Sequence, residues 1–112
     1  MEWSSKKCQP CEGIGSALSS EEIKKQLKEL TGWSYDNQTK SIKAHFKFKN
    51  FLNTMSFVNA IAYLAEQEGH HPDLEVSYGH SNVSLTTHAL GGVSENDFIL
   101  ASKINLLRKP NE

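Results

Sequence analysis

Between Ile42 and Phe48 the chain changes character at every step: Ile42, Ala44, Phe46 and Phe48 are apolar, and Lys43, His45 and Lys47 between them are polar. A period of two fits an extended strand with one dry and one wet face, because successive strand side chains point to opposite sides. Such a chain must build a sheet and cover one side of it. Lys43, His45 and Lys47 are expected on the uncovered side.

The cover reads as helical. Asn50 can cap a segment in which Phe51, Met55, Val58, Ala62 and Ala65 fall along one stripe, with Gly69 placed to stop it. Phe57, Ile61 and Leu64 lie off that stripe and predict a second buried surface, which self-association would supply. Ser19-Ser20-Glu21-Glu22 has the form of a capping box, and Ile23, Leu27 and Leu30 then predict a first helix to about residue 30. Ser94 and Asp97 open a last helix that carries Phe98, Ala101, Ile104 and Leu107. Leu74 and Val76 alternate as a strand, Gly79 to Asn82 turn it, and Val83, Leu85 and Thr87 lead back to His88. Antiparallel strands without crossover spacing, joined to one-faced helices, predict an α+β domain: an antiparallel sheet of about four strands with three helices packed on one face. Residues 1–17, with Pro10, Gly13, Gly15, Cys8 and Cys11 and no periodicity, read as an irregular leader, and 18–112 as a single domain.

A length of 112 residues leaves room for one core and no separate cofactor domain. Lys plus Arg total 12 against 13 Asp plus Glu, so no global field favours nucleic acid or an acidic membrane surface. The charge balance points to a small molecule or a protein partner. The longest apolar stretch, Phe57 to Leu64, is interrupted by Asn59 and falls far short of a membrane span. The start, Met1 to Lys7, lacks the apolar segment of a signal peptide, and a cytoplasmic protein is expected. Cys8-x-x-Cys11 has neither a second pair nor a preceding strand, which leaves it short of a zinc or thioredoxin-like site.

Chemistry is signalled by histidine. Four of the five lie between residues 70 and 88, two of them adjacent in Glu66-Gln67-Glu68-Gly69-His70-His71-Pro72. Imidazole gives and takes protons near neutral pH, so several in one pocket suit proton transfer or metal binding. Adjacent residues in extended chain project to opposite sides, which opposes a zinc site built from His70, His71 and His88. Glu66, one helical turn before His70, is placed to accept an imidazole N–H. Asp97 completes the capping box with Ser94 and is expected first as structural. Tyr78 is expected to pack over the hairpin, Trp33 to anchor the core, and His45 and His80 to be solvated.

Glu66, His70, His71, Pro72, Tyr78, His88 and Asp97 together form a spaced pattern that resembles the pterin-4a-carbinolamine dehydratase family. The looser resemblance in element order runs from about Leu18 to Leu107. It implies a hydro-lyase that eliminates water from 4a-hydroxytetrahydrobiopterin to give quinonoid dihydropterin, in tetrahydrobiopterin recycling. Implied catalytic residues are His70, His71 and His88, with His70 and His88 as general acid and base and His71 holding the pterin. His70, His71, Pro72, Thr87, His88, Ala89 and Leu90 would bind the substrate, the last two through backbone groups, with Glu66 and Asp97 in support. Such an elimination calls for no metal and no cofactor. A homodimer or homotetramer is expected, without nucleic-acid or membrane partners. The family also implies an alternative, a non-enzymatic protein-binding module that uses a helical face as a dimerisation cofactor or transcriptional coregulator.

Overall fold

A computed structural model describes residues 3–10 and 15–108. It contains α1 (Ser20–Leu27), β1 (Trp33–Asp36), β2 (Ser41–Lys47), α2 (Phe51–Glu68), β3 (Asp73–Ser77), β4 (His80–Leu85) and α3 (Glu95–Leu107). The strands form one antiparallel sheet in the order β1-β2-β4-β3. This is the α+β arrangement that the alternation and the one-faced helices predict. No helix of the described residues is long and apolar enough to cross a membrane.

Register explains the two faces of the sheet. Across β2 and β4, Ile42 faces Leu85 and Ala44 faces Val83, while Lys43 faces Ser84 and His45 faces Asn82. The first set is buried, in one cluster with Ile23, Phe57, Ile61, Phe98 and Ile104 from the helices. Each fully buried Leu, Ile or Phe of this cluster contributes about 1.5–3 kcal/mol from surface removed from water. Trp33 joins it and donates its indole N–H to Asn105 Oδ1 at 2.9 Å, which ties the start of β1 to the end of α3.

Several expectations need correction. The face of α2 turned to the sheet carries Thr54, Phe57, Ile61 and Ala65, whereas Phe51 is exposed. The expected stripe was off by part of a turn: Phe57 and Ile61 meet the core, and Thr54 fits there because its hydroxyl lies 2.9 Å from both Asn50 O and Tyr78 O and shares its proton between them. An apolar helix with two candidate stripes offers no internal means of choosing between them. The hairpin turns at Tyr78-Gly79, so His80 to Asn82 belong to β4 rather than to the turn. Tyr78 is 68% exposed and does not pack over the sheet. The first helix ends at Leu27, although Leu30 still reaches the core after a tightened turn with its N–H on Leu27 O.

Caps fix the three helix starts as read. Asn50 Oδ1 accepts the Asn53 N–H at 2.8 Å, and Ser19–Glu22 and Ser94–Asp97 form reciprocal capping boxes. In α3 the consecutive residues Phe98, Ile99, Leu100 and Ala101 are all buried, so this helix has no wet side along that turn. Its outer side is covered by residues 3–10: Trp3 is buried and stacks on Phe98 with ring centroids 5.9 Å apart. Cys8 lies in the same segment, with its thiol pushed up to about 12 by burial and by the nearby Glu68 carboxylate. It is therefore a neutral packing group at physiological pH. Cys11 lies outside the described residues.

Candidate active site

The site starts where α2 stops. Gly69 adopts the left-handed conformation, φ 66° and ψ 27°, and both its N–H and that of His70 return to Ala65 O. A side chain is strained at that φ, so glycine is what allows the sharp exit. The exit sends adjacent histidines to opposite sides. His70 turns inward: its Nε2 lies 2.5 Å from Asp97 Oδ1, with the imidazole 11% exposed and the carboxylate fully buried. His71 turns outward to Glu66 Oε2, also at 2.5 Å, both groups largely exposed. Glu66 thus serves His71 and not His70. The left-handed residue 69 breaks the helical phase on which i,i+4 spacing depends.

Asp97 has two jobs, one for each oxygen. Oδ2 accepts the Ser94 N–H at 2.9 Å, closing the capping box, and the Thr87 hydroxyl at 2.8 Å. Thr87 Oγ1 also lies 2.7 Å from Ser94 Oγ. Oδ1 is left for His70. A carboxylate with no exposure must be paired, and here two donors fix its plane before the imidazole arrives. The capping reading of Asp97 holds, but it is half of what the residue does. A tertiary contact across 27 positions leaves no mark in local spacing.

Thr87 carries the network to the third histidine. Its N–H donates to Gly92 O at 2.9 Å, and His88 opens a single 3₁₀ turn, His88–Leu90, closed by left-handed Gly91. Thr87 is buried, His88 and Ala89 are exposed and Leu90 is half-buried. The sheet's wet face holds a depression of about 770 Å³ with Lys43, His45, Glu75, Asn82, Ser84 and His88 among its lining residues. Of the expected site residues, His88 alone lines it. His70 joins that end of β4 from the α2 side, through Asp97 and Thr87. Pro72 is half-buried just before β3, where it cannot donate to the ladder.

Two histidines stand apart from this network. His45 is exposed as expected and meets Asn82 Oδ1 through Nδ1. His80 is not solvated: it is half-buried, its ring centroid is 5.0 Å from that of His45, and its buried Nδ1 lacks a partner among the described residues. Among the described residues no group of three or more histidine, cysteine or acidic side chains is arranged to hold a metal ion.

The chemistry open to this arrangement is proton transfer. Asp97 holds the Nε2 side of His70, which selects one tautomer and leaves Nδ1, with no partner among the described residues, to accept or deliver a proton. Glu66 places the same constraint on His71 in a wetter setting.

Comparison with known proteins converges on one group. The family model for pterin 4 alpha carbinolamine dehydratase matches residues 16–107. A protein of Legionella pneumophila (strain Lens), provisionally named a pterin-4-alpha-carbinolamine dehydratase, is 55% identical over 105 residues, 93% of each chain. A relative in Nitrosospira multiformis with the same provisional name is 51% identical over 102 residues, covering 91% of this chain and 88% of its own. Among solved structures, a transcriptional coactivator/pterin dehydratase from Brucella melitensis superposes with a TM-score of 0.80 at 33% identity, covering 84% of this chain and all of that one. A pterin dehydratase-like protein identified as a RuBisCO assembly factor in the alpha-carboxysome gives 0.59 at 25% identity, over 68% of this chain and 88% of that one.

Proposed function

The chain belongs to the pterin-4a-carbinolamine dehydratase family, whose named members are hydro-lyases, and on that premise we propose that it eliminates water from 4a-hydroxytetrahydrobiopterin by histidine acid/base catalysis. The observation that carries this reading is the His70–Asp97 pair at 2.5 Å, linked through Thr87 to the residue before His88.

The elimination moves two protons and no electrons between molecules. The 4a-hydroxyl leaves as water once it is protonated, the C4a–O bond breaks, and loss of the N5 proton lets the nitrogen lone pair form C4a=N5. One imidazolium that donates and one imidazole that accepts are sufficient. His70, its Nε2 held by buried Asp97, and His88, exposed at the rim of the depression, are the acid and base. His71 orients the pterin from outside, with Glu66 setting its tautomer. Pro72, Ala89 and Leu90 contribute surface and backbone groups around the ring, and Thr87 holds the loop in place. No cofactor takes part. The product, quinonoid dihydropterin, is a substrate for reduction back to tetrahydropterin, so the role proposed is in tetrahydrobiopterin recycling, with the cytoplasm as the expected compartment.

Phe51, Leu52 and Tyr63 leave 52%, 73% and 69% of their surface exposed on α2, more apolar area than one water-facing helix side ordinarily shows. A homodimer or homotetramer would cover it. The same face supports a second reading, a protein-binding module, which two structural relatives, one described as a coactivator and one as an assembly factor, also favour. Absorbance-followed dehydration of freshly generated 4a-hydroxytetrahydrobiopterin separates the two. The enzyme reading predicts acceleration well above the spontaneous rate, and a folded protein that leaves the spontaneous rate unchanged moves the assignment to the binding module.

A further inference from the structure

Residues 3–10 lie outside the 16–107 span matched by the family model, yet they bond Glu68, two positions before His70, and Asn96, immediately before Asp97. We propose that this N-terminal strap is a positioning element of the site, clamping the end of α2 to the start of α3 at the point where His70 meets Asp97; its kinetic consequence rests on the dehydratase reading.

The clamp is made by two consecutive residues. The Cys8 N–H donates to Glu68 Oε1 at 2.8 Å, and Glu68, the last residue of α2, stands two positions before His70. The Gln9 N–H donates to Asn96 Oδ1 at 2.9 Å, Asn96 Nδ2 donates back to Gln9 O at 2.7 Å, and Asn96 immediately precedes Asp97. The Cys8 thiol adds a contact to Asn96 O at 3.5 Å. Because consecutive Cα atoms are held about 3.8 Å apart by a trans peptide, the helix ends bound to Cys8 and Gln9 cannot drift relative to one another. Glu68 also receives Lys103 Nζ from α3 at 2.7 Å, a second tie between the same helices.

The strap itself is anchored at its far end. Trp3 is buried against Phe98 and donates its indole N–H to Gln26 Oε1 at 3.2 Å. Asn96 is buried as well, and truncating its side chain removes both side-chain bonds that hold Gln9 against the start of α3. A hydrogen bond between a fixed carboxylate and an imidazole weakens steeply with misalignment, and displacements near 1 Å at a catalytic group cost up to about 100-fold in rate.

The test uses the full chain with Asn96→Ala, set against Asn105→Ala, which removes the bonds to Trp33 and Thr31 at the opposite end of α3. Both variants are expected to melt earlier. Below those temperatures, Asn96→Ala is expected to lower kcat about 10-fold with KM changed less than about 2-fold, while Asn105→Ala keeps wild-type kinetics. By NMR, the hydrogen-bonded imidazole proton of His70 should broaden or vanish in Asn96→Ala and persist in Asn105→Ala. Should Asn96→Ala fail to fold, Gln9→Pro removes only one donor of the clamp and is expected to act in the same direction. A wild-type imidazole signal and kcat in the clamp variant, with lowered thermal stability alone, would overturn the inference. A lost imidazole signal in a protein whose wild type has no turnover keeps the clamp and removes the enzyme reading.

Discussion

Asp97 is the residue on which the account turns, because one buried carboxylate caps α3 and orients His70. Asp97→Asn keeps an oxygen for Ser94 and Thr87 but cannot offer a charged acceptor to the imidazole, and its amide favours the wrong tautomer. Turnover is expected to fall about 100-fold or more, with a smaller loss of thermal stability, as when the orienting carboxylate of a catalytic histidine is neutralised elsewhere. Wild-type turnover in a folded Asp97→Asn protein would show that the pair is structural. At this scale the sequence was informative about residue types and poor about partners. The histidines and Asp97 stood out by spacing, yet Glu66 was matched to the wrong imidazole because one left-handed glycine changes where the next side chain points. His80 likewise reads as a turn residue until the two-residue hairpin places it in β4.

At the scale of elements, the capped helix ends were legible because caps are local: Asn50, Gly69, Ser19 and Ser94 each act within a few residues, whereas the uncapped end of α1 was read three residues too late. The buried face of α2 was not, because Phe51, Phe57, Ile61 and Met55 are all apolar and only the sheet decides which of them it receives. The tie between α2 and α3 through Glu68 and Lys103 was also invisible, and it has a pH signature. Burial alone would raise the Glu68 carboxyl, but hydrogen bonds from Lys103 and from the Cys8 backbone, with the Lys103 charge, outweigh it and hold the group below its ordinary 4.5. A carboxylate whose folded value is depressed stabilises above its unfolded value and loses that contribution as the pH falls through the folded one. Glu68→Gln is therefore expected to lower Tm near pH 6, and the gap to wild type should narrow by about pH 3. An unchanged gap across that range would mean that the pair contributes no charge-dependent stability.

At the scale of the molecule, the fold class followed from alternation and helical stripes, but the assembly of the site did not. His70 comes from the end of α2, His88 from beyond β4 and Asp97 from the first turn of α3, and the sheet register brings these ends together. The N-terminal segment, without periodicity of its own, gains its position from α3, whose apolar residues on both sides leave room for Trp3. The most direct measurement is the rate of dehydration of fresh 4a-hydroxytetrahydrobiopterin by wild type, His70→Ala and His88→Ala, each treated extensively with a chelator and shown to be folded. Acceleration by the wild type is expected, with a loss of about 100-fold or more in each variant, if His70 and His88 are the acid and base. Acceleration that survives both substitutions would contradict that assignment.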